Sequence, residues 1–137
     1  MILYHGVEKN RADDFIKHGR IPCMSTHLFK DGARVDYRGQ SEQVMVGICT
    51  SLDIDIAKRF GEVIFVIDTD LLDESYKLFR VNYFTNPEKD EKEVFIAAYI
   101  SKIPLTNYKR LNLAANNRFE ISTKCVIDII SQYPLSI

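Results

Sequence analysis

The sequence contains little that could form a disulfide framework or a metal site. Its three cysteines, Cys23, Cys49 and Cys125, include no C-x-x-C pair, and an odd number of thiols is typical of a reducing compartment. The three histidines lack the spacing to acidic residues that zinc ligands usually show. We therefore expect no structural disulfide and no bound metal.

The sequence also lacks a charge excess and a long apolar run. Lysine and arginine number 18 and aspartate and glutamate 19, so the net charge of -1 argues against a surface devoted wholly to nucleic acid. No apolar run approaches the roughly 18 residues of a membrane span. The start, "MILYHGVEKN", turns polar too early for a signal peptide. We expect a soluble, cytoplasmic protein without a membrane partner.

The chain does contain enough apolar residues for one compact core. With 137 residues, 46% of them hydrophobic, we expect a single domain over residues 1–137. Short strands outnumber helices in its pattern, which predicts a mixed α+β domain. Apolar and β-branched residues predict strands at 2–5, 42–51, 62–72 and 91–100, with one more within 103–113. The stretch 76–90 should begin as a strand and give way to a polar loop around Asn86 and Pro87.

Three segments have helical patterns, and one long segment has no pattern. The first helix, within 8–19, should end at Gly19, and the second, within 51–61, should begin at Ser51 or Asp53 and end at Gly61. The apolar spacing of 122–133 predicts a third helix. Residues 20–43 lose periodicity and are predicted to form a long irregular segment.

Two glutamates precede an apolar strand in the stretch "EKEVFI". In an extended chain, side chains alternate between faces, so Glu91 and Glu93 should project from the same face and Lys92 from the other. Carboxylates are not favoured in a buried strand. Either that face of the strand is exposed to solvent, or the pair of glutamates has a chemical function.

Three stretches occur in a fixed order: "LYHG" at 3–6, "GICTSLDIDIAKRF" at 47–60 and "EKE" at 91–93. Together they resemble the ADP-ribosyltransferase superfamily, which includes mono-ADP-ribosylating toxins, poly-ADP-ribose polymerases and the DNA-modifying toxins of toxin–antitoxin pairs. The resemblance runs from residue 3 to about residue 96. It implies two small, packed, mostly antiparallel β-sheets with flanking helices, and NAD as substrate without a metal.

The resemblance implies a set of residues that bind NAD. His5 would hydrogen-bond a ribose hydroxyl, and the backbone of Gly6 would receive the nicotinamide carboxamide, because a glycine without a Cβ lets a ligand lie against the peptide plane. The "CTS" triplet is similar to the Ser-Thr-Ser of one branch, with cysteine in the first position. An aromatic residue eleven positions later is typical of the other branch, where it stacks on nicotinamide. The NAD-binding residues implied are therefore His5, Gly6, Cys49, Thr50, Ser51 and Phe60.

The resemblance also implies the catalytic residues. Glu93 matches the glutamate that stabilises positive charge on the ribose, and Glu91 matches an accessory position that activates the acceptor. The preceding stretch "RVNYFTNPEKD" corresponds to a substrate-contacting loop, with Arg80, Tyr83, Phe84 and Asn86 as candidate contacts. An ordinary polar connection is the alternative for this loop.

The activity implied is transfer of ADP-ribose from NAD to a macromolecule, protein or nucleic acid, with release of nicotinamide. An antitoxin would be a further partner if the chain is a toxin. Two alternatives stay open: an NAD glycohydrolase of the same fold, and a non-catalytic NAD- or nucleotide-binding module. The related tRNA 2'-phosphotransferases do not need the glutamate, so Glu93 argues against that activity.

Overall fold

A computed structural model describes residues 1–27, 35–36, 43–82, 90–104 and 119–131 of the chain. It is an α+β protein with two helices and ten strands in these residues, together with two short 3₁₀ helices, Thr69–Leu71 and Thr123–Cys125. The strands and helices, in chain order, are β1 (Ile2–Val7), α1 (Lys9–His18), β2 (Arg20–Pro22), β3 (Met24–His27), β4 (Val35–Asp36), β5 (Gln43–Ser51), α2 (Ile54–Ala57), β6 (Val63–Asp68), β7 (Lys77–Asn82), β8 (Glu93–Pro104), β9 (Glu120–Ser122) and β10 (Val126–Ser131).

The strands form a large sheet and a small one. Eight strands make the large sheet in the order β10-β6-β1-β5-β8-β7-β4, with β3 also paired to β5, and β2 and β9 make the small sheet. Every pairing between the described strands is antiparallel. The predicted α+β class with mostly antiparallel strands is therefore confirmed.

The large sheet forks at β5. Strand β3 pairs with the first half of β5, whereas β1 meets β5 at a single residue pair, Tyr4 with Ser51. Along its whole length β1 instead pairs with β6, from Ile2 opposite Asp68 to Val7 opposite Val63. Strands β1 and β5 therefore touch at one point and diverge beyond it, which leaves space between them.

The apolar residues of β6 and β8 lie in the hydrophobic core. Val63 to Ile67 of β6 are all buried, and α1 covers the face that carries Val63, Phe65 and Ile67. The centroids of the stacked Phe15 and Phe65 rings lie 6.2 Å apart on that face. In β8, Val94 and Ile96 join this main core, whereas Phe95 and Ala97 join a second cluster. Alternation along a strand places these two sets on opposite faces. Burying a large apolar side chain contributes roughly 1.5–3 kcal/mol.

The first helix follows its prediction, and the second is shorter than predicted. Helix α1 ends at Gly19, whose φ of 69° is the left-handed conformation expected of a glycine cap. Helix α2 is one turn long, and Asp53 is its cap, since its carboxylate accepts the Asp55 N–H at 2.9 Å. Gly61 does not end it, because α2 stops at Ala57. A Cβ on Gly61 would lie 2.2 Å from the Val7 carbonyl carbon, so close packing requires glycine there.

Two predictions about the connections and the C-terminal segment are wrong. Segment 20–43 contains strands β2, β3 and β4 rather than only irregular chain, although 28–34 and 37–42 lie outside the described residues. The third helix does not form: residues 126–131 are strand β10, paired with β6. Its valine and isoleucines are β-branched, which favours a strand wherever a neighbouring strand offers an edge.

The remaining predicted strand, within 103–113, falls only partly within the described residues. Strand β8 continues to Pro104, so the start of the segment 103–113 belongs to β8, and the rest lies outside the described residues. Within the part of the chain that the structure describes, no helix has the length and apolarity needed to cross a membrane.

Candidate functional site

A cavity of about 410 Å³ lies where β1 and β5 diverge. This volume is within the roughly 300–1,000 Å³ typical of small-molecule sites. All three sequence stretches contribute to its wall: β1, the segment from the end of β5 through α2, and the segment that enters β8. The lining residues are Tyr4, His5, Gly6, Cys49, Thr50, Ser51, Ala57, Phe60, Glu91 and Glu93.

His5 bridges the gap between the two diverging strands. Its Nδ1 lies 2.7 Å from the Cys49 carbonyl oxygen, and since a carbonyl only accepts, Nδ1 carries the proton and Nε2 keeps its lone pair. Burial lowers the pKa of His5, the hydrogen bond to Cys49 opposes that shift, and the positive charge of Arg11 adds to it. The imidazole is therefore neutral at pH 7.

Gly6 is required by packing on the protein side. A Cβ at this position would lie 2.0 Å from the Ala57 carbonyl oxygen and 3.3 Å from Cβ of Phe60. The sequence interpretation, that the missing side chain leaves room for a ligand, thus needs correction: the end of α2 occupies that space. The main chain of Gly6 still lines the cavity.

Cys49 and Phe60 present accessible surface at the cavity. The Cys49 side chain is exposed and forms no disulfide. Phe60 is 56% exposed, although large aromatic side chains usually bury most of their surface. The Phe60 N–H donates to the Ala57 carbonyl at 3.0 Å, which fixes its backbone. Phe60 is thus a wall residue of the cavity rather than a core residue.

The hydroxyl groups of Thr50 and Ser51 hold the chain at the entrance of β8. Thr50 Oγ1 donates to the Val94 carbonyl at 2.6 Å, and Ser51 Oγ donates to the Glu91 carbonyl at 2.7 Å. Ser51 Oγ also accepts the Asp53 N–H at 3.0 Å. Both hydroxyl protons are therefore directed at backbone oxygens, so these two residues position the glutamates.

The two glutamates reach the cavity by different routes. Glu93 is the first residue of β8, opposite Ser51 in the ladder, and it is only 3% exposed. Glu91 precedes the strand and is half-buried. Between them Lys92 has a φ of 47°, so the chain is not extended there. The expected alternation of faces does not apply, yet both glutamates line the same cavity.

The turn at Lys92 is tied to α2. The Leu52 N–H donates to the Lys92 carbonyl at 3.0 Å, and Lys92 Nζ lies 3.6 Å from the Asp53 carboxylate, the cap of α2. The same short segment therefore connects the glutamates with the helix that precedes Phe60.

Comparison with known proteins gives no match. Neither protein-family models, nor curated proteins, nor solved structures match this chain.

A second, smaller cavity of about 280 Å³ adjoins the first. The two share His5, Gly6 and Cys49, so the hydrogen bond between His5 and the Cys49 carbonyl lies at their boundary. Arg11 of α1 contributes a positive charge to the second cavity. A ligand longer than one ring system would have a second compartment available.

Sequence reasoning missed two wall residues, Tyr4 and Ala57. Tyr4 lies inside the "LYHG" stretch, but only strand pairing reveals that it meets Ser51. Tyr83 and Phe84 lie outside the described residues. No group of three or more potential metal-binding side chains occurs within the described ranges.

Proposed function

We propose that this chain is an NAD-dependent mono-ADP-ribosyltransferase, which transfers ADP-ribose to a macromolecular acceptor and releases nicotinamide. The main support is one observation: eight residues chosen from three separate sequence stretches line a single cavity. The proposal includes an ADP-ribosyltransferase-like fold of two packed antiparallel sheets. The fork of the large sheet, where β1 leaves β5, supports that assignment.

The cavity offers suitable contacts for the nicotinamide end of NAD. The exposed ring of Phe60 provides a flat apolar surface for stacking. The main chain of Gly6 lines the cavity in which the carboxamide would lie. The neutral His5 keeps the Nε2 lone pair, which accepts a hydrogen bond from a ribose hydroxyl while Nδ1 stays bonded to Cys49.

The carboxylates suit the charge that develops during cleavage. Breaking the bond between nicotinamide and ribose spreads positive charge over the sugar, as in glycoside hydrolysis. Glu93 is almost fully buried, and a carboxylate in such a site stabilises nearby positive charge more strongly than one in water. Glu91 is more accessible, which suits a group that orients or deprotonates an incoming acceptor.

Nicotinamide release and label transfer together test the function. The purified protein is incubated with NAD labelled on the adenosine side, with and without cell lysate under reducing conditions. We expect release of nicotinamide and incorporation of label into protein or nucleic acid, and the labelled macromolecule identifies the acceptor. Release without incorporation would instead indicate an NAD glycohydrolase. Binding of NAD without release would indicate a non-catalytic module, and the enzymatic proposal would be wrong.

The matched control for a catalytic glutamate is a glutamate elsewhere on the surface. Glu74 is exposed and lines neither cavity, so Glu74→Gln changes the same functional group away from the site. We expect Glu74→Gln to cleave NAD at the wild-type rate.

An antitoxin, if the chain acts as a toxin, would be sought as a protein whose addition suppresses label incorporation.

A further inference from the structure

Arg80 occupies the point where strand β7 stops pairing with β8. The ladder between these strands ends at Arg80 opposite Val94, and Val81 and Asn82 then pair with β4. Beyond that point the Arg80 side chain links β7 to the start of β8, since its Nη1 donates to the Glu93 carbonyl at 3.0 Å. The resemblance implies that Arg80 contacts the acceptor, whereas in the structure its guanidinium is bound to the Glu93 carbonyl of its own chain.

Arg80 also binds the other end of the glutamate segment. Its Nη2 lies 3.5 Å from the Asp90 carboxylate, whose Oδ1 accepts the Lys92 N–H at 2.9 Å. One guanidinium therefore holds the segment from Asp90 to Glu93 at both ends. The planar fork of arginine makes two such contacts at once, which a lysine ammonium does not reproduce.

The segment between these contacts, residues 90–93, contains a backbone conformation that other contacts must stabilise. Lys92 has a φ of 47°, a conformation that residues with a side chain rarely adopt. On the β5 side, Ser51 Oγ and the Leu52 N–H bond to the carbonyls of Glu91 and Lys92. Arg80 makes the corresponding contacts from the β7 side.

We propose that Arg80 is a positioning residue for the Glu91–Glu93 pair: it fixes the segment that carries both carboxylates and so sets their placement in the cavity. For catalysis this inference rests on the proposed NAD cleavage, because the carboxylates need a defined position only if they act on a substrate. Arg80 does not line either cavity. It therefore acts through the glutamates rather than by contact with NAD.

The test compares Arg80→Met and Arg80→Lys with Lys77→Met, a control on the same strand whose side chain is exposed. Arg80→Met should lower kcat for nicotinamide release about 100-fold, because misplacement of a catalytic group by about 1 Å has an effect of that size. The Kd for NAD should change less than about threefold, since the wall residues that bind it remain. Arg80→Lys should be intermediate, and Lys77→Met should match wild type.

Chemical rescue separates positioning from general stability. Added guanidinium should restore part of kcat in Arg80→Ala and leave Lys77→Ala unchanged. A merely structural role would lower thermal stability and NAD affinity together, without rescue. Wild-type kcat in Arg80→Met, or an equal loss of affinity and kcat, would overturn the proposal.

Hydrogen exchange of the Lys92 amide provides a readout without NAD. Arg80→Met should speed this exchange by about tenfold or more, because loss of one charge-assisted hydrogen bond has an effect of that order. Unchanged exchange would overturn the claim that Arg80 holds the segment. If the wild type fails to cleave NAD while the exchange changes as expected, the proposed function is wrong and the anchoring contact stands.

Discussion

At the scale of single residues, the wall of the cavity contains two kinds of residue. Some present side-chain surface to a ligand, and the others hold the wall in place. Phe60 and Cys49 present side-chain surface, whereas Thr50 and Ser51 direct their hydroxyl protons at backbone carbonyls. Gly6 belongs to the second group, because its missing Cβ makes room for Ala57. Substitutions in the two groups should therefore differ: the first should change ligand binding and the second should change geometry.

The two glutamates should separate in their effects. Glu93→Gln removes the charge that stabilises the ribose cation, so nicotinamide release should fall about 10²–10³-fold, the usual effect of deleting one such electrostatic contact. The Kd for NAD should stay close to wild type. Glu91→Gln should reduce transfer to the acceptor more than hydrolysis, which is measured as the ratio of incorporated label to released nicotinamide. Wild-type turnover in Glu93→Gln would refute its assignment.

Cys49 should report occupation of the cavity. Cys23 and Cys125 are 5% and 2% exposed, so Cys49 should be the fast-reacting thiol towards iodoacetamide. NAD at ten times its Kd should slow alkylation of Cys49 about tenfold, because only about a tenth of the sites stay empty. Mass spectrometry of the labelled peptides measures this rate, and Cys49→Ser serves as the control. Equal rates with and without NAD would mean that NAD does not cover Cys49.

At the scale of elements, the site depends on β1 being held against α2 on one side while it diverges from β5 on the other. The contact between Gly6 and the end of α2 fixes one wall of the cavity, and the single Tyr4–Ser51 pairing fixes the point where the gap begins. Helix α2 is only one turn long, so packing against β1 rather than helix length determines its position.

A side chain at Gly6 should therefore destabilise the fold through this contact. Gly6→Ala places a Cβ 2.0 Å from the Ala57 oxygen, so β1 and α2 must separate, at a cost of about 1–3 kcal/mol typical of overpacking. Gly19→Ala is the comparison, because its Cβ would meet only Thr123 Oγ1 at 3.8 Å and its cost comes from the left-handed φ of 69°, about 1–2 kcal/mol. Urea unfolding measures both. A smaller loss for Gly6→Ala than for Gly19→Ala would contradict the packing account.

At the scale of the whole molecule, the sequence predicted most of the β-structure and helix α1 because their signals are local. The run from Val63 to Ile67 and the glycine after α1 are patterns that act within one element. Strand β10 was predicted as a helix, since its isoleucines also fit helical spacing and only pairing with β6 selects the strand. The small sheet of β2 and β9 joins residues about 100 positions apart, which no local pattern encodes.

The candidate site divides in the same way. Its residue types were predictable from the motifs, because each occupies a short stretch. The contacts that hold these residues in place were not predictable, because each joins separate elements. They are the Ser51–Glu91, Arg80–Glu93 and Lys92–Asp53 contacts. The positive φ of Lys92 was missed because no glycine or asparagine marks the turn.

Buried thiols should make the whole fold sensitive to alkali. Burial raises the pKa of Cys23 from 9.0 to about 12, and the Glu120 carboxylate adds to the shift. The unfolded chain loses this proton first, so the stability that the neutral thiol provides is complete below pH 9 and declines as pH rises from 9 towards 12. The decline should approach about 1.4 kcal/mol per pH unit for this group.

The slope of unfolding free energy against pH measures this effect. Between pH 9 and 11, Cys23→Val should have a shallower slope than wild type, whatever its stability at pH 7. Burial also raises the pKa of Cys125, so some slope should remain. Cys49→Val, a change at an exposed thiol, is the control. Equal slopes in wild type and Cys23→Val would show that Cys23 ionises as easily in the folded protein as in the unfolded chain.

The most direct test of the central claim is a crystal structure of Glu93→Gln bound to intact NAD. The account predicts nicotinamide in the cavity between β1 and β5, stacked on Phe60, with its ribose beside residue 93 and a ribose hydroxyl on His5. NAD bound elsewhere, for instance in the groove beside Lys58 and Arg59, would contradict the account. So would a ribose placed out of reach of both residue 93 and Glu91.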